Sequence, residues 1–331
     1  MKKNKLGRSD LEVSAISMGC WALAGDFTWG EQDEAESIAT VHAALDHGIN
    51  FFDTAEGYGN GRSEEVLGKA LKGRRQDAII ATKVSSSNVS PDKLRQSCEG
   101  SLRRLNTDYI DVYYIHWPNR EVPFAETLET LEQLKQEGKI RVAACSNFGP
   151  KDLAELLAVG RVEANQLAYN LLFRAIEYEI QPACAENEIS ITCYSPLAQG
   201  LLTGKYRSAD EVPEGRARTR HFSSKRPYTR HGEDGAEEET FAAIAEIRRI
   251  CEKYGVDMGQ ASLAWLLEQK AVASVIVGAR TPEQAIHNAK AGSLNLPPEM
   301  VEELAAATND LKAKLGTNAD MWEAAERSRI R

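Results

Sequence analysis

The chain has 331 residues, 42% of them hydrophobic and 27% charged, and a formal net charge of −9. That balance is ordinary for a water-soluble globular protein, and a diffuse negative field works against binding nucleic acid or an anionic membrane. No stretch approaches the roughly 18 apolar residues that would span a bilayer.

The start, M-K-K-N-K, is basic but continues as L-G-R-S-D-L instead of the apolar run of a secretory leader. A cytoplasmic protein is expected. Residues 5–16 then read as a short hairpin turning around Arg8–Asp10. Apolar runs near Ile16–Cys20, Asn50–Asp53, Ala78–Lys83, Ile110–His116, Ile140–Cys145, Ala164–Leu167, Ile189–Tyr194 and Ser274–Val277 read as strands. Helical patterns lie between them. Ser90-Pro91 opens one with a capping serine and proline at its first position, and Thr281-Pro282 with Gln284 resembles a capping box. Eight strands alternating with helices predict an α/β fold. The expected architecture is one (β/α)8 TIM barrel domain over residues 1–331, with an N-terminal β-hairpin. After the seventh strand a connection from Thr203 to about Glu239 breaks the rhythm. It carries Arg216, Arg218, Arg220, Lys225, Arg226 and Arg230 and then an acidic run. Connections longer than about 15 residues are usually lids or linkers. A lid over the reactive face and a solvated loop are equally good readings.

The six cysteines (Cys20, Cys98, Cys145, Cys184, Cys193 and Cys251) include no C-x-x-C pair. Neither a disulfide framework nor a metal site is expected.

Three of the strand-like runs end in groups that do not belong in a core: Asp53, Lys83 and His116. A strand alternates its faces with period two, so Phe51 and Asp53 share a face, as do Ala81 and Lys83, and Tyr114 and His116. In a parallel sheet an acid, an ammonium and an imidazole therefore converge at one end. Burying them is costly unless they pair, and folding alone does not require them. Tyr58 follows in the loop D-T-A-E-G-Y-G-N-G. An ammonium about 4 Å from a phenol is worth roughly 4 kcal/mol at an effective dielectric near 20. At about 1.36 kcal/mol per pH unit, Lys83 is expected to lower the Tyr58 pKa by up to about three units from its reference near 10. Asp53 would keep Lys83 charged, and His116 would align a substrate oxygen. The set suits proton delivery to a carbonyl oxygen while another group delivers hydride, and it lacks the nucleophile–base pair of acyl transfer.

The runs H-G-I-N-F-F-D-T-A-E-G-Y-G-N-G-R-S-E-E-V-L-G and L-R-R-L-N-T-D-Y-I-D-V-Y-Y-I-H-W-P resemble the two characteristic motifs of the aldo-keto reductases. The resemblance extends from Lys5 to about Ala291. It implies a (β/α)8 barrel that reduces aldehydes or ketones with NADPH, without metal or flavin, and it implies the roles above for Asp53, Tyr58, Lys83 and His116. It also implies cofactor contacts. Gly19, Cys20, Trp21 and Asp53 would border the nicotinamide. Ser146, Asn147 and Gln166 would hold the carboxamide, and Tyr194 would stack on the ring. The loop Ser195, Pro196, Leu197, Gln199, Gly200 and Lys205 would cover the pyrophosphate, and Gly278, Arg280, Gln284 and Asn288 would meet the adenosine. The substrate pocket implied is Trp21, Tyr58, His116 and Trp117. The helix start at Thr281-Pro282 supports the adenosine end independently, because helix N-termini attract anions and barrels often place phosphates after strands seven and eight.

One departure bears on the cofactor. Mammalian-type members carry Lys two residues before the position of Arg280 and Arg at the position of Gln284. Here Gly278 and Gln284 stand there, which leaves Arg280 to meet a 2′-phosphate of about −1.5 to −2 charge. The balance favours NADP(H) and leaves NAD(H) open.

Bland readings weigh against each residue. A lone His116 would be a core histidine, and a lone Lys83 would snorkel to solvent. Trp29 is a weak pocket candidate, and Trp322 either folds over the pocket or docks the terminus. Gly57, Gly59 and Gly61 are one residue short of a dinucleotide-binding G-x-G-x-x-G, and Asp53 would repel a pyrophosphate there. Some relatives are potassium-channel β subunits that hold the cofactor as a redox-sensing module. The intact tetrad favours an enzyme acting on a small carbonyl or alcohol, whose identity the sequence leaves open, as it does protein partners.

Overall fold

In the computed structural model, which describes residues 1–25 and 29–331, the apolar runs pair as the alternation requires. Strands β1 (Lys3–Lys5) and β2 (Glu12–Ser14) form the antiparallel hairpin, with Lys3 opposite Ser14 and Lys5 opposite Glu12. The eight barrel strands are β3 (Ile16–Gly19), β4 (Phe51–Asp53), β5 (Ile79–Val84), β6 (Ile110–Ile115), β7 (Ile140–Ser146), β8 (Ala164–Ala168), β9 (Ser190–Tyr194) and β10 (Val272–Gly278). They pair in parallel in chain order, and β10 closes onto β3. Cys20 and His116 fall one residue beyond their strands. Their N–H groups still donate to the neighbouring strands, to Asp53 O at 2.8 Å and Val84 O at 3.0 Å, so the ladder holds both positions.

Eleven helices are seen among the described residues: α1 (Glu34–Asp46), α2 (Arg62–Ala70), α3 (Pro91–Leu105), α4 (Phe124–Gln136), α5 (Pro150–Leu157), α6 (Ile180–Glu186), α7 (Glu237–Tyr254), α8 (Met258–Leu267), α9 (Pro282–Ala291), α10 (Pro298–Ala306) and α11 (Asn309–Leu315). No described helix is long and apolar enough to cross a membrane. Pro91 does open α3, but the Ser90 hydroxyl makes no capping bond. Thr281 does cap α9, accepting from Gln284 N at 3.4 Å. The return bond differs from a capping box: Gln284 Oε1 accepts from Arg280 N at 2.8 Å, one residue earlier than the cap.

Period two divides the side chains of each strand. Phe51, Ala81, Val112, Tyr114, Val142, Ala144, Ala164 and Ala273 fill the barrel, and Leu6, Leu11 and Val13 of the hairpin region close its N-terminal end against them. The opposite faces pack on the helices in a second, larger core. One end of the barrel is thus sealed, and the polar groups collect at the other.

The connection between β9 and α7 is packed and not a solvated loop. His221 and Phe222 are buried in it, and His221 Nε2 meets the Leu172 carbonyl at 3.0 Å. Arg220 donates to the Leu315 and Asn318 carbonyls at 2.9 and 3.1 Å and pairs with Glu233 at 2.8 Å. The two carbonyl bonds of Arg220 tie the connection to the end of α11 and the segment that follows it.

Candidate active site

Lys83 is fully buried and Asp53 is 3% exposed. The ammonium must therefore find its partners within the protein, and it finds three. Lys83 Nζ donates to Asp53 Oδ1 at 2.6 Å, to the Thr54 carbonyl at 2.7 Å and to Tyr58 Oη at 3.3 Å. The second Asp53 oxygen accepts from Gln166 Nε2 at 2.7 Å. His116 completes the group, its ring 5.9 Å from that of Tyr58 and nearly perpendicular to it. Trp21 lies flat against the other side of Tyr58, with centroids 5.3 Å apart.

The turn that carries Tyr58 is pinned from below. Thr54 donates to Ser63 Oγ at 2.8 Å, and Ser63 donates on to the Cys20 carbonyl at 2.7 Å. Gly59 has φ +56°, and a Cβ there would stand 2.7 Å from Ala24 Cβ, so the turn requires glycine on both counts.

Burial and charge oppose each other in this group. Burial pulls the Lys83 ammonium down, yet Asp53 and then Tyr58 outweigh it, and its pKa lies above the ordinary lysine value. For Tyr58 the expectation was a lowered pKa. The structure corrects this: burial raises the phenol by more than Lys83 lowers it, so the net shift is upward. Tyr58 is a neutral phenol with a cation at hand to receive the charge if its proton leaves. Burial, and secondarily Lys83, lower His116 to about 3, so its ring is neutral at physiological pH.

The residues that the resemblance assigns to a carboxamide lie side by side. Asn147, in the left-handed region at φ +64°, donates to the His116 carbonyl at 3.1 Å and to Ser146 Oγ at 3.0 Å. Its Oδ1 accepts from Tyr194 Oη at 2.9 Å. Ser146 donates to the Gln166 carbonyl at 2.9 Å. Gln166 thus touches both groups, with its amide N–H committed to Asp53. Along the same rim, Ser195, Ala198, Gln199 and Gly200 all have positive φ, and Gly200 lies against Lys205. Asn288 Nδ2 donates to the Gly278 carbonyl at 3.2 Å, beside the N-terminus of α9 and Arg280. A flat aromatic, a left-handed turn beside a lysine, and a helix N-terminus beside a guanidinium run across one end of the barrel. This donor set fits an extended nicotinamide dinucleotide.

Trp322 and Trp29, which the sequence left open, take defined places, while Arg329 and the partners of Arg280 carry no sequence signal. Trp322 lies nearly parallel to Tyr194 at 6.0 Å, which places it over the site. Trp29 meets Trp21 edge-on at 5.8 Å. Arg329 stands 3.8 Å over the Trp117 ring and is held by both oxygens of buried Asp320 at 2.8 and 2.9 Å. Arg280 is bonded to Glu31 and Gln32.

Comparisons with known proteins agree with this geometry. The "NADH-specific methylglyoxal reductase" of Escherichia coli (strain K12) is 34% identical over 319 residues, covering 89% of this chain and 95% of that protein. A "probable voltage-gated potassium channel subunit beta" of Oryza sativa subsp. japonica is 32% identical, covering 92% and 96%. A crystal structure of an aldo-keto reductase from Klebsiella pneumoniae in complex with NADPH superposes with a TM-score of 0.74 at 27% identity, covering 100% of this chain and 98% of that one. The pattern of the aldo/keto reductase family matches residues 15–309. The chain belongs to the aldo/keto reductase family.

Proposed function

We propose that the chain interconverts small carbonyl compounds and alcohols with NADP(H) as preferred coenzyme and Tyr58 as the proton donor in reduction. The observation that carries this reading is the Tyr58 hydroxyl 3.3 Å from a buried, charged Lys83, beside a neutral His116. When bound, the reduced coenzyme supplies the hydride. The neutral His116 ring orients the substrate oxygen toward Tyr58. Tyr58 gives its proton to that oxygen, and Lys83, held by Asp53, stabilises the phenolate left behind. Gln166 keeps Asp53 in place. Trp21, Trp117 and Trp322 form the apolar wall of the substrate pocket and keep water from the reacting oxygen. Tyr194 offers a flat face to the nicotinamide, Ser146 and Asn147 its carboxamide partners, and Arg280 a charge for the 2′-phosphate. The NADPH complex of the Klebsiella pneumoniae relative supports NADP(H), and the NADH specificity in the name of the Escherichia coli relative keeps NAD(H) as the alternative.

Oxidation of NADPH and NADH, followed across a panel of aldehydes, ketones and sugars, tests the reading. The expected result is carbonyl-dependent turnover, faster with NADPH. Absence of turnover with either coenzyme and every carbonyl would contradict it. Tight NADPH binding with negligible oxidation would favour the second reading that the rice relative's name supports, a coenzyme-holding regulatory module.

A further inference from the structure

Arg280 is already engaged. Its Nε donates to Gln32 Oε1 at 2.8 Å, its Nη2 donates to the Glu31 carbonyl, and Gln32 Nε2 donates back to the Arg280 carbonyl at 2.9 Å. Gln32 Nε2 also lies 3.3 Å from Glu36 Oε2, which fixes the amide's orientation. Trp29, just before these residues, packs edge-on against Trp21, which stacks on Tyr58. One short segment therefore links the guanidinium at the adenosine end to the wall of the reactive pocket.

We propose that Gln32 and the Glu31 carbonyl form a latch on Arg280 that competes with the coenzyme 2′-phosphate and so sets the preference between NADP(H) and NAD(H). The proposal rests on the reading that Arg280 meets that phosphate. A guanidinium bonds a phosphate dianion more strongly than a neutral amide oxygen, so the phosphate displaces the latch. It must first break the latch bonds, and its apparent affinity is reduced by the fraction of molecules in which they are closed. A coenzyme without the 2′-phosphate asks nothing of Arg280 and meets the latch closed at no cost. The latch therefore handicaps NADP(H) alone. Gln32 is a partly exposed loop residue outside the core, so substitutions there leave folding intact.

The test is the dissociation constant of each coenzyme with the free protein, from equilibrium fluorescence titration of Gln32→Ala, Gln32→Glu and Arg280→Ala. Gln32→Ala removes the neutral competitor and is expected to tighten NADPH about fivefold, the worth of roughly one net hydrogen bond, with NADH unchanged. Gln32→Glu sets a carboxylate on the guanidinium and is expected to weaken NADPH about tenfold or more, again with NADH unchanged. Arg280→Ala is expected to weaken NADPH selectively. If Arg280→Ala is selective while both Gln32 variants bind like the wild type, or shift the two coenzymes equally, the latch is overturned and the role of Arg280 stands. If Arg280→Ala weakens both coenzymes equally, the 2′-phosphate reading falls and the latch falls with it.

Discussion

Lys83 has no water to fall back on, and its three acceptors account for all its ammonium protons. Removing one member of a buried ion pair strands the other. Lys83→Met would leave the Asp53 carboxylate with Gln166 alone, and the expected loss of stability is roughly 3–5 kcal/mol. Adding Asp53→Asn removes the stranded charge and is expected to restore more than half of that loss. Urea unfolding of the two variants checks this, and strictly additive losses would contradict the coupling. Asp53, Lys83 and His116 were legible in the sequence because a strand's alternation fixes which end residues share a face. The state of Tyr58 was not. Its pKa is a contest between Lys83 and burial, and burial depends on how Trp21 and the surrounding segments close over the ring, which spacing does not encode.

The strands and the hairpin keep stability and chemistry at opposite ends of the barrel. Leu6, Leu11 and Val13 seal the end remote from Tyr58, packing on Phe51, Ala81 and Val112. Leu11→Ala is expected to cost about 2–5 kcal/mol through the cavity it leaves, while coenzyme affinity at the far rim stays unchanged. Thermal unfolding and a coenzyme titration on the same variant check both halves, and a matching loss of affinity would show that the ends are coupled. All eight barrel strands were legible to within one or two residues, because each is a short apolar run between helical patterns. Their exact ends were less so: Cys20 and His116 continue the ladder hydrogen bonds without strand geometry. The cap expected at Ser90 is missing: its hydroxyl makes no bond to the helix it precedes.

Contacts between distant parts of the chain complete the molecule, and sequence patterns say least about these. Arg220 reaches Leu315 and Asn318, Trp322 reaches Tyr194, and Arg280 reaches Gln32. None of these pairs repeats a period or a motif, and a neutral glutamine in a loop gives no cue that it faces an arginine 248 positions away. The Arg220 contacts pack the connection after β9, by sequence a loop of balanced charge, against the end of α11 and the residues after it. In the mechanism proposed, the chemistry passes through one hydroxyl, that of Tyr58. Steady-state turnover of Tyr58→Phe, measured beside its NADPH dissociation constant, tests this most directly. The expected result is a fall in kcat for carbonyl reduction of about 10²-fold or more with NADPH bound as before; a variant that keeps most of its turnover would rule out Tyr58 as the proton donor.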